Sequence, residues 1–102
     1  MEKIIPDYLQ NLSSFLQKTS YSEIPENVIE RSRLVFADSM AAIIGGSAEP
    51  EVETLTKRML LSKNPGTASV LGTGLSGEPM TASVINGSAG TFLEMDEGNQ
   101  FC

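Results

Sequence analysis

Three carboxylates lie within four residues near the end of the sequence: Glu94, Asp96 and Glu97. They follow an apolar, helix-like segment, where negative charge opposes the helix dipole. On helical spacing, Glu94 and Glu97 share one face and Asp96 points away. Carboxylates held close together raise one another's pKa, so that one of them can carry a proton. The segment predicts a candidate acid–base site, with a solvated acidic helix end as the alternative.

A single carboxylate, Asp38, interrupts the most apolar stretch of the chain, residues 37–44. We expect this stretch to be helical and buried on most sides. A buried charge must be paired or hydrogen-bonded, because its desolvation is costly. Asp38 is therefore expected either to bond a neighbouring helix end or an arginine such as Arg33, or to line a substrate pocket.

The spacing of Gly72, Gly74 and Gly77 matches the letters of the G-x-G-x-x-G dinucleotide loop. That fingerprint requires a strand before it, a helix after it and a second strand that completes a βαβ unit. Pro79 follows at once, and no second strand is predicted downstream. We interpret the glycines as a turn before a capped helix.

The residue types that are missing exclude several kinds of site. The chain has no histidine and one cysteine, Cys102. A zinc site or a Ser-His-Asp triad therefore cannot be built from this chain alone, and we expect no metal site. One cysteine cannot form an internal disulfide, which is typical of a reducing compartment.

The charge balance bears on the possible partners. Thirteen acidic and seven basic residues give a net charge of −6. This balance argues against binding to nucleic acid or to an anionic membrane surface. The N-terminus lacks the apolar stretch of a signal peptide, and no run is long enough for a transmembrane helix. We expect a cytoplasmic protein.

The elements that position these residues are predicted to be helical. Apolar periodicity and stop signals predict four helices, at about 5–18, 25–46, 47–60 and 76–95. Ser47 is expected to cap the third helix. Residues 67–71 are β-prone, but a lone short strand cannot form a sheet, so an extended arm is equally compatible with them. The predicted fold class is all-α: four helices with one short extended segment.

Segments along nearly the whole chain resemble the MmgE/PrpD family, in consistent order and spacing. They are PENVIERS at 25–32, FADSMAAIIGG at 36–46, ASVLGTG at 68–74, ASVINGSA at 82–89 and LEMDEGN at 93–99. The resemblance implies that residues 1–102 are the incomplete N-terminal part of the family's helical domain. The complete enzymes are several times longer, with a large helical domain, a smaller α/β lid and usually a dimeric assembly. We therefore expect a homo-oligomer.

The resemblance also implies a reaction class. Members such as 2-methylcitrate dehydratase, cis-aconitate decarboxylase and iminodisuccinate epimerase are cofactor-independent lyases or isomerases. They act on small di- or tricarboxylates by moving a proton beside a carboxylate. A non-catalytic helical self-association or interaction module is the alternative.

The resemblance to the family also extends to individual residues of the candidate site. Glu94 occupies the first acidic position of the family's Asp-x-Asp-Asp-like segment, and Asp96 and Glu97 match the next two. Glu in place of Asp adds a methylene and changes the reach of the carboxylate. Asn86 and Asp38 are further substrate-pocket candidates. The family's histidine and lysine residues come later than Cys102, so we expect a chain cut within the acidic segment, with little or no turnover by itself.

Overall fold

The computed structural model describes residues 4–61 and 65–95. This part of the chain contains four α-helices and one β-hairpin. The elements in chain order are α1 (Asp7–Lys18), a 3-10 turn (Tyr21–Glu23), α2 (Glu26–Ser47), α3 (Pro50–Leu61), β1 (Ala68–Val70), β2 (Leu75–Gly77) and α4 (Pro79–Phe92). The all-α prediction is confirmed, with the hairpin as an addition. The chain forms two compact units, Met1–Ser32 and Arg33–Cys102, which divide within α2.

The first unit is built from α1 and a capped turn. Apolar side chains recur along α1 at steps of three and four residues, yet α1 has no buried residue. After α1, the backbone N–H and the hydroxyl of Ser20 both donate to Oε2 of Glu23, at 2.7 and 2.8 Å. This capping box satisfies donors at the start of the 3-10 turn. Both hydrogen bonds lower the pKa of the Glu23 carboxyl below its ordinary value, and the bond from the backbone N–H has the larger effect.

The second unit has a small core centred on α4. Val70, Ala82 and Ile85 are buried together, and partly buried side chains of Met59, Leu60 and Ala68 pack against them. Ile85 is completely buried. Strand β1 and helices α3 and α4 thus share one apolar centre, which fixes the position of α4.

The glycine-rich segment forms the turn of the hairpin. Strands β1 and β2 pair antiparallel, with Ala68 opposite Gly77 and Val70 opposite Leu75. Gly72 and Gly74 have φ angles of 79° and 71°, a left-handed region that glycine adopts without a steric penalty. Thr73 stabilises the turn, because its hydroxyl donates to Val70 O at 2.7 Å and accepts from Leu75 N–H at 3.0 Å.

The glycine pair at the end of α2 serves packing rather than termination. Helix α2 continues through Gly45 and Gly46 to Ser47, and α3 starts at Pro50. A Cβ placed on Gly46 would collide with the backbone carbonyl of Ala89 in α4. The expected cap at Ser47 is therefore wrong: Ser47 is the last residue of α2, and its hydroxyl donates to Ile44 O at 2.7 Å.

The expectation that α2 is buried on most sides is also wrong for the described residues. Gly46 and Ser47 are the buried residues of α2. Phe36 and Leu34 are 68% and 64% exposed. Contacts of Gly46 with Ala89 and of Ile43 with Gly90 join α2 to α4 at one end. Elsewhere the large apolar side chains of α2 are exposed, as at Leu34 and Phe36, or half-buried, as at Val35. None of the helices in the described ranges combines the length and apolarity needed to cross a membrane.

Candidate functional site

Glu94 lies just beyond the end of α4. Helix α4 ends at Phe92, three residues earlier than expected, and Glu94 has a left-handed φ of 53°. Its backbone N–H donates to Thr91 O at 3.1 Å, which closes the last turn. Glu94 itself is not helical, so the expected helical spacing does not hold at this residue. Whether Glu94 and Glu97 share a face stays a prediction. Asp96 and Glu97 lie outside the described residues.

The conformation of Glu94 is unfavourable in two ways. A left-handed backbone costs a non-glycine residue about 1–2 kcal/mol. An anionic side chain at a helix C-terminus also opposes the helix dipole. Glycine is the residue that favours this position after a helix. A glutamate here is therefore poorly explained by stability, and its exposed carboxylate is the strongest candidate for chemistry in the described chain.

Helix α4 holds this carboxylate on a rigid support. Thr81, Ala82, Ile85 and Ala89 are its buried residues. The helix begins at Pro79, whose fixed φ suits the first turn. The Thr81 hydroxyl donates to Oε1 of Glu78 at 2.9 Å and secures the helix start. A group at the far end of such a helix is positioned by the core of the second unit.

Asn86 acts as a clamp between α4 and the hairpin. Its Oδ1 accepts from Leu71 N–H at 3.0 Å, and its Nδ2 donates to Ser69 O at 3.0 Å. Both ends of the amide are thus bonded to the main chain on either side of Val70. These two bonds give Asn86 a structural role. Its place in a substrate pocket stays a prediction.

A shallow apolar cleft borders Asn86. It has a volume of about 240 Å³ and is lined by Ser39, Ala42 and Ile43 of α2 and by Asn86, Gly87, Gly90 and Thr91 of α4. A Cβ on Gly87 would meet nothing within 4 Å, so this wall of the cleft is open. Small side chains rather than polar groups shape the cleft, and it offers no proton carrier.

Asp38 is exposed, so its expected burial is wrong. The physical reason is the limited packing of α2, whose neighbouring turn carries the exposed Phe36. An exposed carboxylate keeps its hydration and needs no partner. Among the described residues, no hydrogen bond, ion pair or cleft joins Asp38 to Glu94. The pocket role of Asp38 stays a prediction.

One polar cavity was not anticipated from the sequence. It has a volume of about 260 Å³ and lies among the end of α2, helix α3 and the hairpin turn, with Ser47, Thr56 and Thr73 in its wall. Each of these hydroxyls donates to a carbonyl of its own element: Ile44 O, Val52 O and Val70 O. They are therefore structural hydroxyls rather than activated nucleophiles. No sequence signal marks the cavity, because it forms from residues distant in the chain.

The hairpin also contains the glycine-rich motif. Gly77 lies within β2 and pairs with Ala68, while Gly72 and Gly74 form the turn. The interpretation as a turn before a capped helix is confirmed in part: Gly72 and Gly74 form a turn and α4 starts at Pro79, but Gly77 belongs to β2 and the N-cap residue Glu78 makes no side-chain cap bond. Within residues 4–61 and 65–95, no group of three His, Cys, Asp or Glu side chains could hold a metal ion.

Comparison with known proteins gives one match. The sequence model of the MmgE/PrpD N-terminal domain matches residues 10–98. No curated protein matches the chain, and no solved structure does. The matched range contains the hairpin, all of α4 and the carboxylates from Glu94 to Glu97, and it covers most of the 102 residues. The chain therefore belongs to the MmgE/PrpD family, as an N-terminal fragment.

Proposed function

We propose that this chain is the N-terminal portion of a cofactor-independent lyase or isomerase that acts on small di- or tricarboxylates. The reaction is proton abstraction or delivery next to a carboxylate, as in 2-methylcitrate dehydratase. The observation that carries the proposal is the family match over residues 10–98, which ends in the acidic segment begun by Glu94. We propose Glu94 as the acid or base, with Asp96, Glu97, Asn86 and Asp38 as lesser candidates for the substrate pocket.

The geometry of Glu94 supports this role. Its carboxylate is exposed on the turn that follows a rigid helix, so that it can approach a bound substrate from outside the core. A carboxylate takes a proton from a carbon acid efficiently when it is held within hydrogen-bond reach in a site that excludes water. The anchored helix supports the first of these conditions, because it fixes the point at which the chain leaves the core. Exclusion of water requires a second wall, which we assign to sequence outside this chain.

The charge of the second unit explains why the chain alone should be inactive. The last basic residue is Lys63, so residues 64–102 contain no lysine or arginine. Each substrate carboxylate held 4 Å from the Glu94 carboxylate would be repelled by about 4 kcal/mol at an effective dielectric of 20. Cationic groups must offset this repulsion, and we propose that they come from other sequence of the same enzyme.

The first test is an assay of the purified 102-residue chain on methylcitrate, cis-aconitate and related acids. We expect no turnover above background. Turnover by the chain alone would contradict the division of the site between this chain and other sequence. Sequencing the gene past the codon for Cys102 is the companion test, and an open frame continuing into a segment with histidine supports the proposal.

The second test uses any longer gene product that contains this chain. Glu94→Gln removes the charge and keeps the size of the side chain. We expect it to lower kcat at least about 100-fold, the usual contribution of a general acid or base. Glu51→Gln, an exposed change on α3, is the matched control and should leave kcat unchanged. Equal activity of both variants would remove Glu94 from the chemistry.

A second candidate function is a non-catalytic helical interaction module. The observation that favours it is the exposed apolar surface of α1, where Tyr8, Phe15 and Leu16 are each 64–69% exposed. Such a module would need no further active-site sequence. A gene that stops after Cys102, together with no partner polypeptide that restores activity, would favour this module over the enzyme.

A further inference from the structure

Asn86 and Gly87 form the sequence pair in which an asparagine amide is most reactive. Gly87 has no side chain to hinder attack by its own backbone nitrogen on Cγ of Asn86. The other asparagines of the chain are followed by larger residues: Asn11 by leucine, Asn27 by valine, Asn64 by proline and Asn99 by glutamine. The pair lies in the middle of α4, where Asn86 is half-buried and Gly87 is exposed. Such a pair reacts unless the fold restrains it.

The reaction is deamidation, which replaces the amide of Asn86 by a carboxylate. The Gly87 nitrogen loses its proton and bonds to Cγ of Asn86, the bond from Cγ to Nδ2 breaks, and ammonia leaves. The product is a cyclic imide. Water then opens the ring at either carbonyl, which leaves aspartate or isoaspartate at position 86. One water is consumed and one ammonia is released, so the reaction needs no oxidant and no cofactor.

Two features of the folded chain oppose this reaction. Within α4 the N–H of Gly87 is bonded to the carbonyl four residues earlier, and the helical backbone angles keep its nitrogen from the attack position. The amide of Asn86 is also fixed, because Oδ1 accepts from Leu71 N–H and Nδ2 donates to Ser69 O. A main-chain N–H only donates and a carbonyl only accepts, so this amide has one orientation. Reaction therefore requires that the hairpin and α4 both loosen.

The hairpin is the part of the second unit whose opening would permit this. Its strands have three residues each, and a two-stranded hairpin is marginally stable without further packing. Val70 joins it to the apolar core, and Asn86 joins it to α4. Helix α4 has 14 residues, among them Gly87 and Gly90. Short helices depend on packing and glycine weakens them, so α4 frays when the hairpin leaves.

We propose that Asn86–Gly87 is a deamidation site that the hairpin keeps unreactive, and that modification permanently weakens the clamp. A carboxylate at position 86 still accepts from Leu71 N–H, but its second oxygen faces the carbonyl of Ser69 and has no proton to donate. Isoaspartate also adds a methylene to the main chain of α4 and shifts the helix beyond it relative to the core. The inference does not rest on the proposed enzymatic function, since it involves neither a substrate nor the acidic segment.

Incubation of the 102-residue chain in mildly alkaline buffer, with and without guanidinium chloride, tests the site and its protection. Digestion and mass spectrometry identify each asparagine that has become aspartate or isoaspartate. In guanidinium chloride we expect Asn86 to react faster than every other asparagine. In buffer alone its rate should be at least about tenfold lower, because only the open fraction of the chain reacts.

Substitutions in the hairpin test the source of the protection. Val70→Ala leaves the reacting pair unchanged and should accelerate the reaction in buffer at least about tenfold, since a cavity at this buried residue favours opening. Thr73→Val removes two hydrogen bonds of the turn and should accelerate it about three- to tenfold. Neither variant should change the rate in guanidinium chloride. The matched control is Val28→Ala, at a 45% exposed residue of the first unit, which should change neither rate.

Asn86→Asp tests the consequence of modification. We expect faster amide exchange at Thr73, whose N–H donates to Val70 O in the hairpin turn. Exchange at Glu23, whose N–H donates to Ser20 O in the first unit, should stay constant. Equal reaction rates of Asn86 in buffer and in guanidinium chloride would overturn the proposed protection. Equal rates for the hairpin variants and Val28→Ala would show that the hairpin is not the barrier. Unchanged exchange at Thr73 in Asn86→Asp would show that modification leaves the clamp intact.

Discussion

Residues 4–32 and the described residues from 33 onward use their apolar side chains in opposite ways. In the first unit, large side chains such as Phe15 and Leu16 are mostly exposed, and no described residue is buried. In the second unit, smaller residues such as Ala82 and Ala89 are almost fully buried around Ile85. Burial therefore follows neighbours rather than side-chain size, because a helix buries its apolar face only against another element.

The two units also differ in how glycine is used. In the second unit, Gly46 brings α2 against α4, and Gly72 and Gly74 turn the hairpin. The first unit contains no glycine and is held by a capping box instead. Close backbone contact lets the second unit form a core around Ile85 that includes small residues such as Ala82 and Ala89. This difference between the two units predicts which positions tolerate substitution.

The largest loss of stability is expected for a substitution at the centre of the second unit. Ile85→Ala should lower the free energy of unfolding by about 3 kcal/mol, since it leaves a cavity in a fully buried site. Leu12→Ala in α1 should change it by less than about 0.5 kcal/mol in a dilute monomer. Urea denaturation measures both. Equal losses would show that α1 is supported as strongly as the core.

A second effect concerns the contact between α2 and α4. Gly46→Ala should destabilise the chain by about 2 kcal/mol, because the new methyl group meets the carbonyl of Ala89 and forces the helices apart. Gly87→Ala is the control, with open space at its Cβ, and should stabilise α4 by up to about 1 kcal/mol. Thermal unfolding should move in opposite directions for the two variants. A shift of the same sign would contradict the close contact at Gly46.

The clamp at Asn86 should give a third, smaller effect. Asn86→Ala removes two hydrogen bonds to the hairpin and should cost about 1–2 kcal/mol. Amide exchange of Leu71 should accelerate, because its N–H loses its acceptor. Ser83→Ala, on the exposed side of the same helix, should leave that exchange rate unchanged. Slow exchange in the Asn86 variant would mean that the hairpin is held by other contacts.

The smallest effect is the pH response of the first unit. The pKa of Glu23 is lowered by hydrogen bonds from Ser20, so the stability from this capping box is present above the ordinary glutamate value of 4.5. It is lost as the pH falls through the lowered pKa. NMR titration should show the Ser20 amide shifting in this acidic range while the Ile85 methyl signals stay constant. Ser20→Ala should move the Glu23 pKa back toward its ordinary value.

Local sequence patterns predicted most of the fold. Periodicity placed the four helices, because each has an apolar stripe or clear stop signals. The second strand was missed, since Leu75 to Gly77 is short and its pairing with β1 depends on contacts across the turn. The end of α2 was misjudged because Gly45 and Gly46 favour termination locally, whereas the approach of Ala89 requires a residue without a side chain.

The candidate site was less accessible to prediction. The acidic segment marked Glu94 correctly as unusual, but helical spacing gave the wrong geometry, because α4 ends at Phe92. The two hydrogen bonds of Asn86 join it to residues that lie 15 and 17 positions earlier in the sequence, and no local pattern encodes them. Asp38 was expected to be buried because its neighbours are apolar, yet burial depends on which elements pack against that face of α2.

The left-handed turn at Glu94 has a consequence for laboratory evolution. A library screened for heat resistance should enrich Glu94→Gly, because glycine adopts a φ of 53° without a penalty and removes a charge that opposes the dipole of α4. Under the proposed function, a screen for turnover by a longer gene product that contains this chain should remove the same variant. Opposite selection at this one codon would identify a residue kept for chemistry at the expense of folding.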